Sequence, residues 1–392
     1  MRDTSIPISS GIPSRPGRLA LLSAVDMRIS DPEPGATGPR SRRSAASGTR
    51  DGAGARSALR TRAGRALAGA ALLGLALLLV APSSPAPIAL GEVRTWMYQF
   101  QKMEERASVD LLAKSSYDLL VVEPVGTYRS ARPAEMKAML ARLREPRPGR
   151  LILAYFDLAE ADSHRSYWDS GWKAPSKDRR GIPDFLAAPD PDGWNDTYLV
   201  AYWDPRWQKL VRADVQAILS AGFDGLCLDW AGAWRDPAVA SLARSAQVNP
   251  AGAMLDLVGL VRRDALAQNP KALLLLQNES GLIDAEPRIA GLVEGVLFES
   301  TWYAGKAELA WSDAGGGDRE NRATDPREST PGRLAQIAKW KALGKPVFTL
   351  DYCLKPEHAR EVYERSKALG CVPLVSRSAL DRLTETPPPW LQ

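Results

Sequence analysis

The sequence predicts a (β/α)8 barrel over residues 94–392, and two patterns carry that prediction. Short apolar runs alternate with amphipathic helical stretches from Arg94 onward, and eight such runs fit into about 300 residues. The runs are continuously apolar, which is typical of parallel strands covered by helices on both faces. A doubly wound open sheet is the alternative, but no Gly-x-Gly-x-x-Gly sequence follows the first run.

Each predicted element follows from its local pattern. The apolar runs place strands at 95–101, 117–123, 151–157, 223–229, 272–278, 293–299, 346–351 and 371–376. Helical periodicity places helices at 133–143, 206–221, 254–268, 333–343 and 356–369. Gly222, Gly344 and Gly370 follow three of these helices, where a terminating glycine is expected. A further extended run at 198–203 is assigned to an elaborated loop between the third and fourth strands.

The first 93 residues differ from the rest in composition. Residues 1–90 hold 12 Arg, no Lys and 5 acids, and no aromatic residue precedes Arg94. Residues 1–65 lack any sustained apolar period, so we expect a disordered leader. Residues 91–392 hold 39 basic and 41 acidic side chains. The pI of 9.1 therefore reflects the leader, and a nucleic-acid partner is not expected.

Residues 66–81 form an uncharged apolar stretch behind the arginines. As a helix it would span roughly 24 Å, which is short for a bilayer and long enough for a signal sequence. We expect either a cleaved signal peptide or an uncleaved signal anchor, with 82–93 as a proline-rich linker. The basic flank would keep the N-terminus in the cytoplasm. The expected location is the bacterial cell surface, membrane-anchored or secreted.

Carboxylates and amides dominate the predicted strand ends, where a barrel places its chemistry. With two histidines in the chain and neither at a strand end, a Ser-His-Asp triad or a histidine-rich zinc site is not expected. No strand-end lysine is available for a Schiff base. Two carboxylate chemistries remain, which are glycoside cleavage and Mg²⁺-dependent catalysis. The strand-end residues are Gln99, Glu123, Asp157, Glu160, Asp229, Asn278, Glu299 and Asp351.

Aromatic residues cluster in the loops that follow these strand ends. Flat aromatic faces suit sugar rings, whose C–H faces are apolar. We therefore expect substrate contacts from the residues Trp203, Trp230, Trp302 and Tyr303. No cofactor and no metal site are predicted.

Six segments together resemble glycoside hydrolases related to glycoside hydrolase family 114, a group that includes endo-α-1,4-polygalactosaminidases. They are Trp-Met-Tyr-Gln-Phe-Gln at 96–101, Ile-Leu-Ala-Tyr-Phe-Asp at 152–157 with its continuation to 168, Tyr-Leu-Val-Ala-Tyr-Trp-Asp-Pro at 198–205, Ala-Gly-Phe-Asp-Gly-Leu-Cys-Leu-Asp-Trp at 221–230, Gln-Asn-Glu-Ser at 277–280 and Val-Leu-Phe-Glu-Ser-Thr-Trp-Tyr at 296–303. The resemblance covers about 95–383. It implies a (β/α)8 barrel and retaining hydrolysis by Asp229 and Glu299.

Two positions depart from the pattern of that family. Relatives often carry Ser-Ile-Gly-Glu at the third strand end, where this chain reads Asp-Leu-Ala-Glu at 157–160. Relatives often carry a second acid three residues after the fourth-strand Asp, where this chain has Gly232. Gln99, Glu123, Asp157, Glu160 and Asp351 are expected to position substrate, and Arg165 to pair with Glu160. Asn278 is expected to bind a sugar hydroxyl or to hold the nucleophile.

These observations favour an exported, endo-acting, retaining glycosidase that cleaves a polysaccharide. An acidic mouth favours cationic sugars, so an amino-sugar polymer is the preferred substrate. Two alternatives stay open, namely a non-catalytic polysaccharide-binding barrel, suggested by Gly232, and a Mg²⁺-dependent barrel enzyme.

Overall fold

The computed structural model describes residues 88–127, 133–306, 309–353 and 355–384. The predicted leader, the apolar stretch 66–81 and the first half of the predicted linker, residues 82–87, therefore lie outside the described residues. Among the helices of the described part, none is long and apolar enough to cross a membrane.

Eight parallel strands form one sheet in sequential order around a nearly closed barrel. Trp96 at the start of the first strand donates its indole N–H to the carbonyl of Val372 in the last strand at 3.0 Å, which bridges the seam. The predicted barrel and all eight predicted strands are confirmed. The strands are β1 Trp96–Gln99, β2 Leu119–Val122, β3 Leu151–Asp157, β4 Gly225–Asp229, β5 Leu273–Gln277, β6 Gly295–Glu299, β7 Val347–Tyr352 and β8 Val372–Ser376.

Helices cover the outside of the strands, and the buried apolar side chains of strands and helices form the core between them. The five predicted helices are confirmed. Three short helices that were not predicted, α1, α4 and α6, also occur in the described part of the chain. The helices are α1 Arg106–Lys114, α2 Pro133–Arg144, α3 Pro205–Ala221, α4 Pro237–Ser245, α5 Pro250–Gln268, α6 Leu282–Ala285, α7 Thr330–Ala342 and α8 Pro356–Ala368. Single 3₁₀ turns occur at Leu90–Glu92, Val125–Thr127, Ala231–Arg235, Pro287–Gly291 and Ala314–Gly316.

Local sequence signals set the ends of the helices. Asp204, Asp236 and Asn249 each precede a proline and accept hydrogen bonds from the first turn of α3, α4 and α5. Gly222 after α3 adopts φ 112°, a left-handed conformation that glycine enters without steric cost. In a (β/α)8 barrel the helices begin at the rim where the strands end. Each strand-end side chain is therefore followed by a loop at that rim.

The connection between β3 and α3 is the most elaborate in the barrel. It holds a three-stranded antiparallel sheet of Glu160–Asp162, Thr197–Val200 and Leu186–Pro189, with Thr197–Val200 in the middle. The predicted extended run at 198–203 overlaps this central strand, so its assignment to an elaborated loop is confirmed. A second pair of two-residue strands, Tyr303–Ala304 and Arg319–Glu320, follows β6.

Candidate active site

Asp229 and Glu299 end strands β4 and β6 at the same rim of the barrel. One strand, β5, lies between β4 and β6, so the two backbones are roughly 9–10 Å apart along the wall. Both side chains point into the barrel mouth and remain partly accessible from it. The negative charge of Glu299 raises the pKa of Asp229.

Three side chains hold the Glu299 carboxylate. Gln277 Nε2 donates to Glu299 Oε2 at 2.9 Å, Asn278 Nδ2 donates to the same oxygen at 2.6 Å, and the Tyr352 hydroxyl donates to Oε1. The Asn278 amide oxygen also accepts the Glu299 backbone N–H at 3.0 Å. These bonds fix the orientation of the carboxylate and stabilise its negative charge.

A tyrosine bridges Asp229 to Asp157. Tyr155 Oη lies 2.6 Å from Asp157 Oδ1 and 3.1 Å from Asp229 Oδ2. The Tyr155 hydroxyl is the donor in both contacts, and its one hydrogen is shared between the two carboxyl groups. The shorter contact is typical of a hydroxyl that donates to a carboxylate. Tyr155 therefore donates mainly to Asp157 and more weakly to Asp229.

Burial and neighbouring charges shift these carboxyl groups toward the protonated form. The pKa of Asp229 lies well above its ordinary value because of burial first and then the charges of Glu299 and Asp157. Burial likewise raises the pKa of Asp157 to about 7. Since the charges oppose one another, the group of acids holds at least one proton near neutral pH. One protonated and one ionised carboxyl is what glycoside cleavage requires.

The backbone directly after the three central strands is strained. Trp230, Asn278 and Ser300 follow β4, β5 and β6, and their φ angles are 58°, 46° and 52°. A residue other than glycine costs about 1–3 kcal/mol in this left-handed region, and such residues concentrate at functional sites. The turn at Trp230 points its backbone N–H at Asp229 Oδ1, at 2.8 Å.

Strand alternation explains which strand-end residues reach the mouth. Tyr98 and Tyr352 point inward, where Tyr98 contacts Gln277 and Tyr352 contacts Glu299. Successive side chains of a strand face opposite sides, so their neighbours Gln99 and Asp351 point away from the mouth. Gln99 donates to the carbonyl of Gln101, and Asp351 Oδ1 accepts the backbone N–H groups of Trp302 and Tyr303 at 2.7 and 2.9 Å. The expected substrate contacts of Gln99 and Asp351 are not supported by this orientation.

Glu160 has a different partner from the one expected, and Glu123, expected to position substrate, contacts Arg165. Arg165 pairs with Glu123 and lies 3.8 Å from Asp162, so its predicted pairing with Glu160 is wrong. Glu160 instead lies beside the carboxyl group of Asp190. Burial and then the Asp190 charge raise the pKa of Glu160 well above its ordinary value. The charges of Asp157 and Asp229 also raise the pKa of Glu160, so Glu160 lies beside the barrel mouth.

The predicted aromatic contacts separate into two groups. Trp302 and Tyr303 are 5 % and 6 % exposed and pack with Cys353, Val362 and Tyr363, so they support the rim instead of presenting open faces. The Trp230 ring is half-buried beside Asp229, and Trp203 is half-buried at the start of α3. Trp203 lines a separate pocket with residues of α3 and α5.

Gly232 has no room for the acid that relatives often carry there. A β-carbon at this position would lie 2.5 Å from Ser280 Oγ and 2.8 Å from the carbonyl oxygen of Asn278. The loops after β4 and β5 therefore pack directly against each other. This packing supports Asn278, which holds Glu299.

Sequence reasoning missed the inward tyrosines and Gln277. Tyr155 lies two residues before the predicted acid Asp157, and in a strand this spacing puts both side chains on one face. That spacing was the available signal for Tyr155. Within the described residues, no group of three or more His, Cys, Asp or Glu side chains is arranged to hold a metal ion.

We expect Tyr155→Phe to move the acidic limb of the pH profile of kcat/KM to higher pH. The hydroxyl lowers the pKa of both Asp157 and Asp229, so its removal makes both easier to protonate. Activity that needs an ionised carboxylate is then lost at a higher pH. A hydrogen bond to a charged group contributes about 1.5–3 kcal/mol, which corresponds to a shift of about one to two pH units. Tyr303→Phe, whose hydroxyl contacts Glu361, is the control and should leave the limb in place. If the acidic limb of Tyr155→Phe stays at the wild-type pH, this result would contradict the hydrogen bonds from Tyr155 to Asp157 and Asp229.

We expect Asp351→Asn to change how stability depends on pH. Burial raises the pKa of Asp351 to about 7, whereas an unfolded Asp titrates near pH 3.9. Between about pH 4 and pH 7 the folded protein therefore binds the proton that the unfolded chain has lost, and stability falls as the pH rises. An amide cannot ionise, so the gain in unfolding free energy over wild type should grow across this range by up to about 4 kcal/mol. Urea unfolding measures it. The exposed Asp178→Asn should show no such growth, and a flat difference for Asp351→Asn would refute the assignment.

Comparison with known proteins places this chain among glycoside hydrolases, in agreement with two carboxyl groups in one barrel mouth. The family model described as glycoside-hydrolase family GH114 matches residues 79–388. An uncharacterised protein of Deinococcus radiodurans is 32% identical over 308 residues, covering 78% of this chain and 86% of that protein. An uncharacterised protein of Thermotoga maritima is 25% identical over 303 residues, covering 73% of this chain and 81% of that protein.

Solved structures with a similar fold include the two that follow. The glycoside hydrolase domain of PelA from Pseudomonas aeruginosa superposes with a TM-score of 0.53 at 21% identity, covering 74% of this chain and 97% of that domain. Ega3 of Aspergillus fumigatus, solved in complex with galactosamine, superposes with a TM-score of 0.50 at 13% identity, covering 78% of this chain and 97% of that chain.

Proposed function

The chain belongs to glycoside-hydrolase family GH114, and from that premise we propose that Asp229 and Glu299 are its catalytic carboxylates. The observation that carries the proposal is their placement at the ends of β4 and β6, in one mouth, with linked electrostatics. Tyr155, Gln277, Asn278 and Tyr352 hold the two groups in place by the hydrogen bonds described above.

The proposed reaction is hydrolysis with retention of configuration. One carboxyl protonates the glycosidic oxygen as the other attacks the anomeric carbon, so the bond to the leaving sugar breaks and a glycosyl ester forms. Water then attacks that ester, giving its proton to the first residue, and the second carboxylate is released. The shared proton described for this group of acids supplies the first step, and no external reagent besides water is consumed.

The proposed substrate is a polymer of amino sugars, cleaved within the chain. Asp157, Glu160, Asp190, Asp229 and Glu299 line or adjoin the mouth, and their charges favour a protonated amine over an anionic sugar. The resemblance of the six segments to endo-α-1,4-polygalactosaminidases supports both the amino sugar and the endo mode. The bound galactosamine in the fold relative Ega3 is consistent with this substrate class.

Hydrolysis of defined polymers tests the function. We expect the purified chain to release oligosaccharides from α-1,4-linked polygalactosamine, and much less from its fully N-acetylated form, which carries no positive charge. A non-catalytic polysaccharide-binding barrel would bind the polymer without product release, and this result would overturn the proposal. Loss of activity on chelation would instead favour the Mg²⁺-dependent alternative.

We also propose that the chain is exported and meets its polymer at the bacterial cell surface. The support is the sequence of residues 1–81, where an arginine-rich segment precedes sixteen uncharged residues. Fractionation of cells that express the full chain tests this proposal. The protein should appear in the membrane or secreted fraction, and its retention in the cytoplasm would contradict export.

A further inference from the structure

A second pocket lies between α3 and α5, apart from the carboxylates of the barrel mouth. It is an open pocket of about 370 Å³, a volume within the size range of small-molecule sites. Its lining is Trp203, Gln208, Val248, Asn249, Gly252, Ala253 and Asp256. Since both helices begin at the rim where the strands end, the pocket opens on the same side of the barrel as the active site.

The walls of this pocket are held rigidly. Tyr202, which is fully buried, donates its hydroxyl to the carbonyl of Pro250 at 2.7 Å and so ties the segment before α3 to the start of α5. The Trp203 ring packs edge-on against Tyr202, with ring centres 5.1 Å apart. The tryptophan is therefore positioned by the core and leaves part of its surface in the pocket.

The polar groups around Trp203 match those that bind sugars. Asn249 uses its Oδ1 to cap α5, which leaves its amide NH₂ as a donor. Gln208 offers a side-chain amide, whose Nε2 donates to the carbonyl of Tyr202 over a long distance of 3.4 Å. Asp264 on the same helix pairs with Arg212, whereas in the described part of the chain Asp256 has no ion-pair partner. An aromatic surface, two amides and an available carboxylate suit a sugar that carries an amine.

We propose that this pocket is a second carbohydrate-binding site, which holds an amino-sugar unit of the polymer outside the active site. The sugar class rests on the proposed function, whereas the pocket itself does not. Such a site raises the local concentration of polymer at the mouth without contributing to bond cleavage. Trp203 thus keeps its expected role in sugar binding, at a different place from Asp229.

Two glycines of α5 provide a matched test. A β-carbon at Gly252 would make ordinary contact with Asn249 Nδ2 at 3.4 Å, so Gly252→Leu fills the pocket without a backbone clash. A β-carbon at Gly259 meets Arg263 Nη1 at 3.6 Å, and Gly259→Leu on the same helix is the control. Trp203→Ala removes the aromatic surface by a different route and guards against an indirect effect of Gly252→Leu.

Binding stoichiometry distinguishes the outcomes. The full-length chain carrying Glu299→Gln is titrated calorimetrically with an α-1,4-linked galactosamine trisaccharide. We expect the Glu299→Gln chain to bind two trisaccharide molecules. Adding Gly259→Leu should leave this number at two, whereas adding Gly252→Leu or Trp203→Ala should reduce it to one. Asp256→Asn should weaken the second site about tenfold for this sugar and leave a neutral galactose trisaccharide unaffected.

The failure of this inference differs from failure of the proposed function. One molecule bound per chain that persists with Gly252→Leu would overturn the second site. If the active site does not take this sugar, the count should fall from one to none with Gly252→Leu, and polymer hydrolysis should be absent. With active enzyme, Gly252→Leu should raise KM for long polymer several-fold and leave turnover of the trisaccharide unchanged.

Discussion

Asp229→Asn and Glu299→Gln should each lower kcat on the polymer by at least about a thousandfold. Each change keeps the size of the side chain and removes the acid that transfers a proton or attacks the sugar. The double variant should be scarcely worse than either single variant, because residues that act as one catalytic unit are not additive. Steady-state release of reducing ends measures the effect.

Stability separates lost chemistry from lost folding in these variants. Burial and the charge of Glu299 oppose ionisation of Asp229, so Asp229→Asn relieves an unfavourable interaction. We expect a melting temperature equal to or higher than that of wild type. Glu320→Gln, which changes an exposed acid paired with Arg322, is the matched control and should keep full activity. Wild-type turnover in Asp229→Asn would remove that residue from the mechanism.

Gly232→Ala should lower both stability and turnover, although it adds a single methyl group. The added carbon would lie 2.8 Å from the Asn278 carbonyl oxygen and 2.5 Å from Ser280 Oγ, so the loop after β5 must shift. We expect a loss of about 1–3 kcal/mol in unfolding free energy, the usual cost of overpacking. Asn278 holds Glu299, and a misplacement of about 1 Å in a catalytic group can cost a hundredfold in rate.

Gly259→Ala on α5 is the control for that variant, because a β-carbon there makes only ordinary contacts, at 3.6 and 3.8 Å. It should leave turnover unchanged and gain about 0.5–1 kcal/mol from the helix preference of alanine. Gly232→Ala with wild-type activity and stability would show that the β4 and β5 loops do not need this close packing.

The barrel could be predicted because its strands are buried on both faces. Runs such as residues 273–276 are apolar throughout, and this pattern is hard to confuse with a half-exposed strand. Glycine and proline at helix ends then set the boundaries. The short helices α1, α4 and α6 have too few turns to show a clear period, which is why they were missed.

The active site could be predicted only in part. The carboxylates that follow apolar runs were identified, but the last residue of a run need not face the mouth. In β7 the inward side chain is Tyr352 and not Asp351, and in β1 it is Tyr98 and not Gln99. Sequence alone could not decide this, because a one-residue change in where a strand ends reverses which side chains face inward. The ion-pair partner of Arg165 could not be predicted either, because Glu123 lies 42 positions away in sequence.

Time-resolved proton NMR of polygalactosamine hydrolysis by the full-length chain tests the central claim most directly. The account predicts that a new anomeric signal appears at once in the α configuration of the substrate and only later equilibrates with the β form. A first product in the β configuration would contradict retention by the Asp229–Glu299 pair. The absence of any new anomeric signal would contradict hydrolysis of this polymer altogether.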